Sequence, residues 1–193
     1  MKRLISTLTL SASAVLLFAF TNPVKTETFT VDAQRSSIDW IGRKVTGQHT
    51  GKINISSGEL LYSGTALKGG SFAVDMTSLT SDNNKLTGHL KTADFFSVDK
   101  NPVSKFEITN VTSAGADRVN VTGNLTIKGI TESLSFPASV KKKGNAVVAV
   151  ANGVKVNRAK YDIRYGSKSF FNDIGDKAID DEFELTINLV AKK

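Results

Sequence analysis

The chain has 193 residues, with 25 Lys and Arg against 18 Asp and Glu, a formal net charge of +7, 40% hydrophobic residues and no cysteine. Without a thiol there is no disulfide, no thiolate nucleophile and no Cys-based zinc site. The basic excess is modest and lacks the clustered basic face with interleaved aromatics that nucleic-acid binding needs, since the densest run, Lys141-Lys142-Lys143 before Gly144, reads as a solvated hairpin tip.

Lys2 and Arg3 precede an apolar run from Leu4 to Phe20, interspersed with Ser6, Thr7, Thr9, Ser11 and Ser13 and followed by Thr21-Asn22-Pro23. This is a secretory signal pattern. A spanning helix needs about 20 predominantly apolar residues, and this run is slightly short and carries several hydroxyls. Residues 1–22 are therefore expected to be a signal peptide, cleaved between Ala19 and Asn22. The mature protein is then periplasmic or secreted, with no stable membrane span. The remaining roughly 170 residues suit one domain, 28–193, around one core.

From Phe29 to the end, period-two alternation dominates. Strands are expected near 28–32, 36–45, 51–62, 70–77, 104–112, 117–128, 132–141, 145–156 and 181–191, with Gly69-Gly70, Ala114-Gly115 and Gly144-Asn145 as separators. The alternation is cleanest at Val119, Val121, Gly123, Leu125 and Ile127 against Asn120, Thr122, Asn124, Thr126 and Lys128. Strands joined by short turns form antiparallel meanders, as a sandwich or an up-and-down barrel. Alternation does not choose between these, but the chain length suits an eight-stranded closed barrel, which leaves no open edge and can hold one small ligand. Outer-membrane barrels turn apolar residues outward and carry aromatic girdles. Trp40 is the only tryptophan and Tyr62, Tyr161 and Tyr165 the only tyrosines, so a soluble barrel is the better reading.

Two segments break the alternation. Leu79 to Pro102 can form a short helical insertion near 84–91, with Leu86 and Leu90 on one face. Arg158 to Asp180 mixes Tyr161, Tyr165, Phe170 and Phe171 with many charges. Loops of this length commonly serve as lids or binding loops, and the aromatic content argues against disorder.

Catalytic signatures are sparse. The chain has no G-x-S-x-G elbow, phosphate-binding loop or dinucleotide fingerprint. His49 and His89 are far apart in sequence, and Asp173-Ile174-Gly175-Asp176 lacks the ligand spacing of a calcium loop. Asp180-Asp181-Glu182 sits where a loop meets the last strand and reads as turn and solvation chemistry. The sequons at Asn54, Asn110, Asn120 and Asn124 are explained by Thr and Asn on wet strand faces. No catalytic residue, metal or cofactor is expected.

The block His89-Leu90-Lys91-Thr92-Ala93-Asp94-Phe95-Phe96-Ser97-Val98-Asp99-Lys100-Asn101-Pro102, followed by Lys105-Phe106, resembles the YceI-like family of bacterial extracytoplasmic proteins. Three further blocks carry the same resemblance: Val31-Asp32 with Ser36; Gly123-Asn124-Leu125-Thr126-Ile127-Lys128-Gly129-Ile130-Thr131; and Arg158-Ala159-Lys160-Tyr161-Asp162-Ile163. The resemblance spans Phe29 to Lys192. It implies an all-β, antiparallel, eight-stranded lipocalin-like barrel whose channel takes a polyisoprenoid, an isoprenoid quinone or a similar amphiphilic lipid without chemical turnover. From parity and loop position, the candidate tail contacts are Trp40, Phe72, Met76, Leu90, Phe95, Phe96, Phe106, Leu125, Phe136 and Phe171. Arg43, His49, His89, Arg158 and Arg164 are candidate donors to a polar head. Small inward residues, Gly123, Ala138 and Ala191, favour an open channel. Two other readings stand beside this one: a packed barrel acting as an envelope interaction module, and an enzyme with an inward His-carboxylate pair acting on a small apolar substrate. Whether the protein forms a homodimer is left open.

Overall fold

The computed structural model describes residues 25–193, so the expected signal peptide, 1–22, lies outside the described residues. The strands are β1 (Thr26–Val31), β2 (Ser37–Lys44), β3 (Gly47–Ser63), β4 (Ala66–Ser81), β5 (Val103–Ser113), β6 (Arg118–Ile127), β7 (Ile130–Lys143), β8 (Ala146–Asn157) and β9 (Ile179–Lys192). Each of β2 to β9 pairs antiparallel with the next, and β9 returns to β2. β1 adds no further position: it runs along β3 beyond the end of β2 and meets β9 as β2 does. The result is an eight-stranded closed barrel with one short helix, as the chain length and the YceI-like resemblance imply.

The seam between β1 and β2 explains the first sequence block. A 3-10 turn at Ala33–Arg35 interrupts the strand, capped by the Asp32 carboxylate, which accepts from the Arg35 N–H at 3.3 Å. The ladder to β9 would fail here, yet the Asp32 N–H donates to the Val190 carbonyl at 2.8 Å. The Ser36 hydroxyl then accepts from the Val190 N–H at 3.0 Å and donates to the Asp32 carbonyl at 2.8 Å. Side-chain and backbone groups thus splice the two half-strands, which satisfies polar atoms that burial would otherwise orphan.

Alternation does the rest. In β6, Val121, Gly123, Leu125 and Ile127 are buried while Asn120 and Asn124 are exposed. The β6–β7 turn is Lys128-Gly129 with φ of 52° and 77°. Two positive values in a two-residue loop make the type I′ geometry that matches strand twist, and the Thr126 and Thr131 hydroxyls bond at 2.8 Å beside it. One separator differs from expectation. Gly69-Gly70 lies inside β4, opposite Leu61 and Leu60, because a Cβ on Gly70 would strike the Glu59 carbonyl. The close approach, and not a turn, requires glycine there. Register shifts along the long β3–β4 pair mark bulges that bend it around the bore.

Antiparallel order places the β2–β3, β4–β5, β6–β7 and β8–β9 connections at one end. Both long segments are among them, and they stand on opposite sides of the ring. The helix α1 (Asn84–Lys91) is capped by the Asn83 side chain, which accepts from the Leu86 N–H. Beyond it the chain folds back, with the Phe96 N–H on the Leu90 carbonyl and the Val98 N–H on the Lys91 carbonyl, which buries Leu90, Phe95 and Val98. At the other end, Phe29 and Tyr62 meet edge to face at 5.4 Å and close the base. Lys142 is not simply solvated: its ammonium sits 5.1 Å from both ring centroids and 2.5 Å from Glu27. Lys141 does remain exposed, as the hairpin-tip reading expected.

Ser36→Ala should strip the Val190 N–H of its acceptor and lower stability by about 1–3 kcal/mol. Urea unfolding of the two proteins side by side measures this, and an unchanged midpoint would show that the splice is dispensable.

Candidate functional site

The bore is not filled. A cavity of about 150 Å³ lies at the loop end, and a second of about 110 Å³ lies below it. Ile38, Val74, Leu125 and Leu185 border both, so the two are neighbouring chambers along one bore. Trp40, Met76, Leu90, Phe95, Phe96 and Leu125 line the upper chamber; Phe72, Phe106, Phe136 and again Leu125 line the lower. Nine of the ten expected tail contacts thus face the channel.

Three of the inward rings lie where an opposing glycine bares the backbone. A Cβ on Gly51 would come 2.6 Å from the Trp40 indole, and one on Gly58 would come 2.8 Å from the Phe72 ring. At Gly123 a Cβ would collide with the Phe106 ring. Seated on the wall, each ring stays out of the middle of the bore. The Trp40 N–H is also turned away, donating to the Thr80 carbonyl at 3.0 Å. Phe72 and Phe106 then lie parallel at 6.3 Å, with Phe136 at 5.5 Å from Phe106.

Phe171 is the exception. The Phe170 and Phe171 N–H groups both bond the Ser167 carbonyl, a turn that leaves the two rings on the outer lip, where Phe171 is 48% exposed. Ile163 and Ile179 occupy the inner side in its place.

Of the five expected head-group donors, only Arg158 reaches the channel. Its Nε donates to the Asp180 carbonyl at 3.0 Å, Nη1 to Ile163 and Tyr165 at 2.9 and 2.8 Å, and Nη2 to Ile179 at 3.0 Å. The remaining N–H of the five faces Asp181 at 3.6 Å. Burial presses the Arg158 pKa down, and Asp181 and Asp180 oppose the fall. For Asp181 burial acts upward, but hydrogen bonds from Ser167 and Ser169 and the charge of Arg158 outweigh it and hold the carboxyl below its usual range. Arg158 is a brace that ties the 158–180 segment to the rim, with four of its five N–H groups held by carbonyls and the fifth turned toward Asp181.

The other four donors are engaged outside. Arg43 pairs with Glu184 at 2.9 Å, and Arg164 with Asp162 at 2.5 Å. His49 Nδ1 lies 2.9 Å from Asp82, whose carboxyl is held low chiefly by that contact. His89 Nε2 lies 2.9 Å from Asp94. Neither His-carboxylate pair lines a chamber. Among the described residues, no three of His, Asp and Glu converge as metal ligands do.

The mouth holds a contact that sequence reasoning did not pick out. Tyr165, from the β8–β9 segment, packs 4.8 Å from the His89 ring and 5.2 Å from Phe95. The two segments thereby meet over the upper chamber. Ser104 was also missed; it is buried in the upper wall and supplies one hydroxyl there. Leu185 and Phe183 were legible as dry-face residues of the last strand but were passed over because aromatic loop residues drew more weight.

The family model for the YceI-like domain matches residues 29–191. A UPF0312 protein of Pseudomonas paraeruginosa is 35% identical over 72 residues, covering 37% of each chain. One from Pseudomonas putida is 29% identical over 116 residues, covering 58% of this chain and 60% of the relative. The alignments thus span well under two thirds of these relatives' length. Among solved structures, Burkholderia cenocepacia BcnA superposes with a TM-score of 0.71 at 20% identity, over 84% of this chain and 99% of that one. A polyisoprenoid binding domain from Saccharophagus degradans, implicated in plant cell wall breakdown, gives 0.65 at 13% identity, over 85% and 97%. At these identities the likeness is one of fold.

Two outcomes test this geometry. Gly123→Ala should cost about 1–3 kcal/mol by pushing the Phe106 ring off its seat, and the cost should shrink in a Phe106→Ala background; a double-mutant cycle in urea reads the coupling. Arg158→Ala should cost about 3–5 kcal/mol because it strands a buried carboxylate and four carbonyls, whereas Arg164→Ala, an exposed pair, should cost less than about 1 kcal/mol in the same assay.

Proposed function

We propose, from the premise that this chain belongs to the YceI-like domain family, that it is an exported binding protein that holds the hydrocarbon part of a polyisoprenoid, an isoprenoid quinone or a comparable amphiphile without transforming it. The observation that carries this reading is the bore itself: two adjacent cavities walled by aliphatic and aromatic side chains, with four of the five N–H groups of Arg158, the one buried cation among the described residues, held by carbonyls. A dry cavity of about 150 Å³ is large enough for a benzene-sized group, so each chamber suits roughly one five-carbon unit. Each CH₂ moved there from water contributes about 0.8 kcal/mol. An anionic head would find no free cation inside, only the Ser104 hydroxyl, and belongs at or beyond the mouth. The polyisoprenoid binding domain from Saccharophagus degradans shares the fold, which favours a prenyl chain as the occupant.

The placement of both His-carboxylate pairs off the channel supports binding over catalysis, since a general base must reach its substrate. The Lys2-Arg3 start and the apolar run to Phe20 support export to the periplasm or beyond.

Native mass spectrometry of the mature protein from its own envelope, followed by organic extraction, is the test. A stoichiometric prenyl lipid or quinone is expected. A clean apo mass with no uptake of added prenyl lipid would overturn the reading and favour a surface interaction module.

A further inference from the structure

Among the described residues, six large apolar side chains are well exposed, and they are unevenly distributed. Tyr165, Phe170 and Phe171 stand 47%, 39% and 48% exposed on the β8–β9 segment. Val45, 56% exposed, is joined to the base of that segment by its N–H on the Ala178 carbonyl. Four of the six thus gather on one lip of the mouth. Exposed clusters of this kind on a soluble domain mark interaction sites.

The lip is also built rather than loose. Gly166 turns the chain with φ of 63°, the buried Ser167 accepts the Phe170 and Phe171 N–H groups on its carbonyl, and the Arg164 guanidinium lies 4.9 Å from the Phe170 centroid. Its inner side, Ile163 and Ile179, is channel wall. The charges of the segment balance: Lys160, Arg164, Lys168 and Lys177 stand against Asp162, Asp173, Asp176 and Asp180, with Arg164 on Asp162 and Lys160 on Glu132. Exposed aromatic side chains beside the mouth of an apolar channel are the chemistry of a surface that settles at the boundary between membrane and water.

We infer that the 164–171 lip, with Val45, is a docking surface for a lipid bilayer, which sets the mouth of the channel against the membrane. The inference rests on the lipid-binding reading above: a prenyl chain hardly dissolves in water, so a carrier must collect it where it resides. One segment then forms both the channel rim and the membrane contact. The base offers a contrast, since Lys141 and Lys143 project there without an exposed aromatic among them.

Flotation with vesicles of phosphatidylcholine and phosphatidylglycerol tests this on the mature protein. Wild type should float, and Phe170→Ala with Phe171→Ala should lower vesicle partitioning roughly tenfold or more, because two half-exposed rings are removed from the contact. Lys141→Glu with Lys143→Glu at the base should change it less than about twofold, those charges standing at the opposite end of the barrel. A wild type that does not float, or a Phe170/Phe171 variant that floats as well as wild type, overturns the docking surface. So does loss of flotation on reversing the base charges. Extraction of bound lipid from the same preparations separates the two claims. Lip variants that keep their lipid but lose the vesicles support docking, while docking with no lipid in any variant would leave the surface standing and remove the carrier reading.

Discussion

Whether an eight-position barrel has an interior depends on where its large side chains rest. At this size the inward residues are just able to fill the bore, and here large rings stand among small inward residues such as Ala138, Ala149 and Ala151. The channel exists because Trp40, Phe72 and Phe106 lie over Gly51, Gly58 and Gly123, where the missing Cβ makes room for a ring against the wall. The room left in the two chambers follows from that seating. The shape of the bore is thus written in three absent methyl groups as much as in the rings themselves.

The charges follow a complementary logic. Arg158 might have been a ligand anchor from its position alone, but its N–H groups are spent on carbonyls from 163, 165, 179 and 180 and on Asp181. A buried guanidinium is tolerable only when so engaged, and the engagement fixes the β8–β9 segment in place. With that segment fixed, Tyr165 can meet His89 and Phe95 from the opposite side of the ring. The wall is left apolar because the only cation in it looks outward, toward the backbone.

Much of this was legible in the order of residues. Period-two alternation located every strand, since a barrel buries one face of each, and Leu86 and Leu90 marked the helix that interrupts them. Most of the channel lining followed from the same parity. What was not legible depends on partners distant in sequence. Arg43 finds Glu184 and His49 finds Asp82 across the sheet, and nothing local announces either pairing. Phe171 was misplaced because an aromatic in a long loop suggests burial, while the turn on Ser167 that carries it outward rests on backbone hydrogen bonds. Gly69-Gly70 looked like a turn because a close backbone approach and a chain reversal call for the same residue.

The splice at Asp32 and Ser36 also bears on how the molecule forms. The ring shuts only when the opening strands reach the final one, a contact that spans 154 positions between Ser36 and Val190. Contacts of such range make β topologies slow, with folding on the order of milliseconds to seconds. Until that last ladder zips, the half-built sheet exposes both its edges and its apolar face, the species most prone to aggregate. A bore walled on all sides needs that closure, so a chain with the ladder open has no channel to fill.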